Sequence, residues 1–303
     1  MRAAITMLLT LVVFVSTACA QSPGTSVTVL SGEKAMEHVR AQVAFGPRPP
    51  GSEALRKCRE YIVGQLEGYG YQVEQDAFDA ATPYGRKAMV NLIARRSGAG
   101  KPIVALASHY DTKYYENLTF LGANDGGSST GLLLELARVL AGRDDGLDYW
   151  LVFLDGEEAF IEWSTFDSTY GSRHLAKRWK QDGTASLVRA LILLDMVGDR
   201  DLEIMKERNS TPWLNELVWI AADQAGLRGI LSSAESYVED DHIPFLDAGI
   251  ACVDLIDLNY GPGNSYWHTE ADTLDKISAE SMEKTGRLVL HLLPLLQEKF
   301  KSH

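Results

Sequence analysis

Cysteine occurs only three times in 303 residues, which excludes a disulfide scaffold and leaves a packed core to hold the fold. At most one bridge, Cys58 to Cys252, is available, and buried thiols are the expected state of both. Basic residues are also scarce: 29 Lys and Arg stand against 41 Asp and Glu, for a formal net charge of -12. A nucleic-acid backbone or an anionic lipid surface would be repelled by such a chain, so neither is expected as a partner. No apolar run reaches the roughly 20 residues that a membrane-spanning helix needs. Internal repeats and low-complexity segments are absent as well. What remains is 46% hydrophobic and 23% charged residues, the composition of an ordinary globular protein. With no composition break or long linker, residues 21–303 read as one domain, expected to be a monomer.

The first twenty residues stand apart. Arg2 supplies a positive start, Ala3 to Val15 form a mostly apolar run, and Ala18-Cys19-Ala20 fits the small-residue cleavage pattern of a secretory signal peptide. Export to the periplasm or the medium is the expectation. Ser16-Thr17-Ala18-Cys19 also has the look of a weak lipoprotein box, in which Cys19 would carry a lipid. The residues leave both forms of processing open.

Beyond that segment the spacing predicts a helix over Glu33 to Val43 capped by Ser31, and a second capped by Ser52 and running to about Leu66. Tyr71 to Phe78 alternates, Met89 to Ile93 and Ile103 to Ser108 are short apolar runs, and Thr130 to Leu140 has helical periodicity. Tyr149 to Leu154, Leu187 to Leu194 and Ile250 to Ile256 read as buried strands, Trp213 to Ala225 as a helix, and about Thr273 to Phe300 as the closing helix. Strands alternating with helices predict an α/β domain with a central mixed, largely parallel β-sheet flanked by helices. Ligand sites of such sheets form at the carboxyl ends of the strands. That directs attention to Ser108-His109-Tyr110-Asp111, Asp155-Gly156-Glu157-Glu158, Asp195, the region from Asp254 to His268, and Asp125.

Acidic residues gathered at strand ends are costly unless something positive neutralises them, and no Lys or Arg accompanies these positions in sequence. A metal cation answers that need. Asp125, Glu158 and His268 are an oxygen, oxygen and nitrogen set of the kind that holds catalytic zinc with one position open. Singly, each has a plainer reading: Asp125 as a helix cap, Glu158 as a solvated loop acid, His268 as a buried hydrogen-bonding ring. Their recurrence at successive strand ends favours the metal. If Glu158 turns to it, the adjacent Glu157 faces the substrate, which sets a general base beside a Lewis acid.

These residues resemble the M28-type zinc exopeptidases. The marks are Ser108-His109-Tyr110-Asp111, Asp125, Glu157-Glu158, Asp195-Met196-Val197-Gly198, Asp241-His242 and His268-Thr269 with the later Asp272-Thr273. Within that family the chain looks most like the animal-type secreted glutaminyl-peptide cyclotransferases, from about Arg48 to the C-terminal helix. Thr82-Pro83-Tyr84-Gly85, Glu157-Glu158-Ala159-Phe160 followed by Trp163, the run from Asp167 to Ala176, Asp240-Asp241-His242-Ile243-Pro244-Phe245 and Trp267-His268-Thr269 carry that closer likeness. The resemblance implies one zinc per chain on Asp125, Glu158 and His268, and Glu157 as general acid and base. It further implies Asp195 and Asp240 as an acidic network beside Glu157, and Trp163, Trp267 and Phe245 around the glutamine side chain. Two departures are visible. Ser108 stands where animal members carry a cysteine, and Asp254 where they carry a histidine, so their active-site disulfide is not expected and the proton network must be arranged differently.

A peptidase admits water to its metal, whereas a cyclase excludes it so that the substrate's own amine is the nucleophile, and aromatic walls favour the second. The leading expectation is therefore zinc-dependent conversion of N-terminal glutamine to pyroglutamate. The alternative is an aminopeptidase with two zinc ions, the second held with the help of His109 and Asp195.

Overall fold

The computed structural model describes residues 29–96 and 100–301; the expected signal segment, with Cys19, lies outside the described residues. Helix α1 (Gly32–Ala44) begins where Ser31 accepts a hydrogen bond from the Lys34 amide, and α2 (Glu53–Gly68) where Ser52 accepts one from Leu55. Both caps fall where the sequence places them. A long hairpin follows, β1 (Gln72–Thr82) and β2 (Gly85–Arg95), in which Thr82 pairs with Gly85. The chain then alternates: β3 (Ile103–His109), α3 (Gly127–Leu140), β4 (Asp148–Leu154), α4 (Tyr170–Asp182) and β5 (Val188–Asp195). A short ribbon of β6 (Ile204–Glu207) and β7 (Leu231–Ser236) brackets α5 (Pro212–Ala225). Then come α6 (His242–Asp247), β8 (Cys252–Ile256) and α7 (Ala279–Lys301).

The main sheet has the order β1-β2-β4-β3-β5-β8. The hairpin and the β2–β4 pair are antiparallel, and β4, β3, β5 and β8 run parallel. Alternation along each central strand divides the core in two. Val104, Leu106, Ile192, Leu194, Val253 and Leu255 point to the face covered by α2, α3, α5 and α7. Ile103, Ala105, Ala107, Leu191, Leu193 and Cys252 point to the opposite face, closed by Leu175, Ala176 and Trp179 of α4 and Phe245 of α6. Two-sided burial is why these strands read as continuous apolar runs. Cys58 and Cys252 are both buried and free.

The closing helix starts later than its periodicity suggests. Before it, the Ser278 amide donates to the Gly198 carbonyl and Asp199 bridges Ile277, so the segment from Thr273 is tied to the end of the β5 loop instead of coiling. Only at Ser278, whose Oγ accepts from the Ser281 amide, does the helix begin. The sequence reading also passes over α4, α6 and the ribbon. Polar residues dominate α4, and it buries little beyond one stripe. β7 is mostly exposed.

Parallel strands end together, so β3 delivers His109, β4 delivers Asp155 and the loop after it, and β5 delivers Asp195 to one rim of the sheet. That rim is the expected place for chemistry.

Candidate active site

Asp125 lies in the loop that enters α3. The turn is made by Gly126 in the left-handed region, where a Cβ would come within 2.6 Å of the Asp111 carbonyl and 2.9 Å of the His109 ring, so no side chain fits. Asp272 holds the loop from outside, accepting from the amides of Asn124 at 2.8 Å and Asp125 at 3.1 Å. The fully buried Arg48 donates to the carbonyls of Leu121 and Gly122 at 2.9 and 3.0 Å. Glu157 and Glu158 follow Gly156, and both of their amides donate to the Asp111 carboxylate, at 3.1 and 3.4 Å. His268 sits at φ 54, a strained conformation for an imidazole residue. Its backbone carbonyl accepts from the Tyr115 hydroxyl at 3.1 Å, Trp267 stacks on its ring at 4.1 Å between centroids, and Phe120 meets it edge-on at 5.9 Å.

These three loops bring the His268 Nε2 to 3.2 Å from Asp125 Oδ2 and 3.2 Å from Glu158 Oε1. The two carboxylate oxygens are buried and have no hydrogen-bond partner. One ligand atom from each residue falls within 4.8 Å of the others. Burial alone would lower the affinity of the His268 imidazole for a proton, but the facing carboxylates of Glu158 and Asp125 hold its pKa up at about 10. The site demands a cation, and its donor set suits zinc. The other oxygen of Glu158 has a cation of its own: Lys113 Nζ lies 3.4 Å from Oε2 and donates to the Ala159 carbonyl at 2.9 Å. This lysine stands two residues after Asp111 in the sequence, so the expectation that no basic residue accompanies the acidic strand ends is corrected here.

His109, 1% exposed, is surrounded by carboxylates. Its Nε2 is 3.3 Å from Asp125 Oδ1 and 3.3 Å from Asp195 Oδ1, and its Nδ1 is 3.5 Å from Asp111 Oδ1. Burial opposes protonation of this ring, yet Asp111, Asp125 and Asp195 outweigh it and hold its pKa well above the ordinary value. His109, Asp125 and Asp195 therefore form a second group with metal-ligand spacing.

Glu157 is buried beside them, its Oε2 4.0 Å from His109 Nδ1. Burial, reinforced by the negative charges of Glu158, Asp240 and Asp241, holds its carboxyl well above the usual range although His109 pulls the other way. Burial also raises Asp195, and with Asp195 as neighbour it takes Asp240 to about 6. Carboxyls poised in this way can accept and return protons near neutrality.

Trp163 and Asp240 line one cleft of about 440 Å³ together with Arg173, Ile243 and Pro244. The loop bearing Trp163 is organised by Asp167, whose carboxylate accepts from the amides of Phe160, Ile161 and Glu162 at 2.9, 2.8 and 3.2 Å and from the Tyr170 hydroxyl at 2.7 Å. Trp267 stays 40% exposed over His268. Phe245 is not brought to the cleft. It is fully buried between α6 and the sheet with its ring 5.4 Å from Trp179, because α6 turns that side of itself to the core while Ile243 and Pro244 line the cleft. Ser108, in the place of the family's cysteine, donates to the His109 carbonyl at 2.9 Å.

Residues 91–293 match the profile of peptidase family M28. The glutaminyl-peptide cyclotransferase of Drosophila melanogaster is 32% identical over 275 residues, 82% of this chain and 77% of that protein. Among solved structures, the glutaminyl cyclase of an Acidobacteriales bacterium superposes with a TM-score of 0.86 at 40% identity, over 94% of this chain and 100% of that one. A leucine aminopeptidase precursor from Bacteroides thetaiotaomicron superposes with a TM-score of 0.79 at 29% identity, over 88% and 98% of the two chains.

Proposed function

The chain belongs to peptidase family M28, and from that premise we propose that it is a glutaminyl-peptide cyclotransferase that converts the N-terminal glutamine of peptides and proteins to pyroglutamate with release of ammonia. The observation that carries this reading is Glu157: a buried carboxyl with raised proton affinity, one residue from a candidate metal ligand.

Asp125, Glu158 and His268 would hold one zinc per chain. When bound, the metal supplies Lewis-acid polarisation of the glutamine γ-carbonyl. Trp163 and Trp267 flank the side-chain amide and keep water from it. An N-terminal amine with a pKa near ~8 is already partly neutral at physiological pH. Folding of the glutamine side chain sets that nitrogen against its own γ-carbonyl carbon, so proximity supplies much of the rate. As the new C–N bond forms, Glu157 takes a proton from the amine; as the old C–N bond breaks, it returns the proton to the departing ammonia. Asp195 and Asp240 act in the same buried network, orienting the amine and sharing its charge.

The His109, Asp125 and Asp195 group keeps one other reading in view, an aminopeptidase with a second zinc. In the cyclase, His109 donates to Asp195 across 3.3 Å and holds no metal. The enzyme would be exported and act as a monomer. Among the described residues no helix is long and apolar enough to cross a membrane. Parallel assays on a peptide beginning with Gln and one beginning with Leu test the proposal. Ammonia from the first and an intact second peptide are expected; free Leu or free Gln at a comparable rate would reverse the assignment.

A further inference from the structure

The cleft that holds Trp163 and Asp240 does not end at the rim of the sheet. It continues between α4 and α6, past Arg173 and Lys177 on one wall and Ile243 and Pro244 on the other, as far as Lys180 and Ala248. The start of α4 is pinned to the rim, because the amides of Thr169 and Tyr170 donate to the carbonyls of Glu157 and Gly156, each at 2.7 Å. Following α4 therefore leads away from Glu157. The helix rises about 10 Å between Arg173 and Lys180, the length of about three residues of extended peptide. Asp240 lines the near end, and its Oδ2 is buried with no hydrogen-bond partner. A peptide whose N-terminal amine reaches Asp240 has the rest of the cleft in front of its next residues.

The α4 wall is basic, in a chain of net charge -12. Arg178, on another side of the same helix, is paired with Glu74 at 2.6 Å and Asp76 at 2.8 Å. The cations on the cleft side have no ion-pair partner among the described residues. Arg173 donates through Nε and Nη2 to the Ser168 carbonyl at 3.1 and 2.7 Å, Lys180 donates to the Asp247 carbonyl at 3.2 Å, and Lys177 is exposed with no partner. For α4 itself this placement is unfavourable. Arg173 stands in the first turn, where the helix dipole favours negative charge, and it lies one turn from Lys177, so the two cations repel. An anion held against both offsets each cost. The remaining acids of the cleft, Glu239 and Asp247, belong to the α6 side and make no ion pair with this wall. The positive charge left unopposed is that of Arg173 and Lys177.

We propose that the cleft receives the residues that follow the N-terminal glutamine, and that Arg173 and Lys177 select an acidic side chain at the second or third position of the peptide. The inference rests on the proposed cyclase reaction for the placing of the glutamine. Arg173 also fixes the Ser168 carbonyl, so Lys177, which holds nothing else, is the position to change.

Gln-initiated hexapeptide amides with a single Glu moved through the later positions, each compared with its Gln isostere, provide the test. With the parent, Glu at the second or third position should raise kcat/KM about three- to fivefold at low ionic strength, the worth of an exposed ion pair. The gain should fade in about 0.5 M salt and be absent at the fifth and sixth positions. The field of the whole protein acts the other way, since its net charge of -12 disfavours acidic peptides. Lys177→Glu should bring the Glu-to-Gln ratio below one. Lys57→Glu makes the same change of charge on α2, across the sheet from the cleft, and should leave the ratio at the parent's value. Equal rates for Glu and Gln peptides, an equal gain at every position, or a ratio that Lys177→Glu does not lower overturns the proposal. Calorimetric titration of Glu157→Gln protein with the same peptides reads the preference as a ratio of Kd values without turnover. A parent that cyclises none of the peptides would sink the cyclase reading, while the Kd ratio would still decide what the cleft selects.

Discussion

Glu157→Gln is expected to lower kcat on Gln-initiated peptides by two to four orders of magnitude, roughly what general acid–base catalysis contributes, while the protein keeps its zinc and its fold. The substitution preserves shape and removes only the titratable carboxyl. In the parent, burial and the adjacent carboxylates give Glu157 a raised proton affinity, which suits a group that must accept a proton from an amine and then deliver it to ammonia. An amide does neither. Because Glu157 is not one of the Asp125, Glu158 and His268 group, elemental analysis of the variant should match the parent. Activity within about tenfold of the parent would show that another base performs the transfer.

The neighbouring substitution should fail differently. Glu158→Gln replaces a buried, hydrogen-bond-free anionic oxygen 3.2 Å from His268 Nε2 with a neutral ligand, and it leaves Lys113, now 3.4 Å from Oε2, facing an amide. Loss of even an outer partner of a metal ligand costs about ten- to a hundredfold in metal affinity, so loss of the ligand's charge should cost at least about a hundredfold, with activity following zinc occupancy. Titration of chelator-treated protein with zinc, followed by elemental analysis and activity together, measures this. The parent should saturate at one equivalent. A requirement for two would place the second on His109, Asp125 and Asp195 and make the chain an aminopeptidase of the usual two-metal kind.

The grouping of the candidate metal ligands and the sheet were legible in the sequence for the same physical reason. Strands buried on both faces appear as unbroken apolar runs, and polar residues directly after such runs have few places to be except the rim where parallel strands end. Asp125, Glu158 and His268 could therefore be grouped before any coordinates, and the structure brings their ligand atoms within 4.8 Å. Partners supplied across the fold were not legible. Lys113, Asp272 and Arg48 act on loops remote from them in sequence, through backbone carbonyls and amides that leave no trace in residue spacing. Glu207 and His242 meet through an equally remote contact. Phe245 shows the opposite failure: a resemblance carries residue identity but not facing, and here α6 spends that ring on the core against Trp179. The polar helix α4 was missed because only a narrow stripe of it is apolar, so tertiary packing decides its conformation more than its own pattern does.

The central claim is that the nucleophile in this site is the substrate's own amine and not water. Turnover of a Gln-initiated peptide in heavy-oxygen water, read by mass spectrometry of the product, tests it most directly. The predicted product is lighter than the substrate by one ammonia, is blocked at its N-terminus and contains no oxygen from the solvent. A product that has gained solvent oxygen, whether as released glutamine or as a glutamate side chain, would show that water attacks in this site and would contradict the assignment.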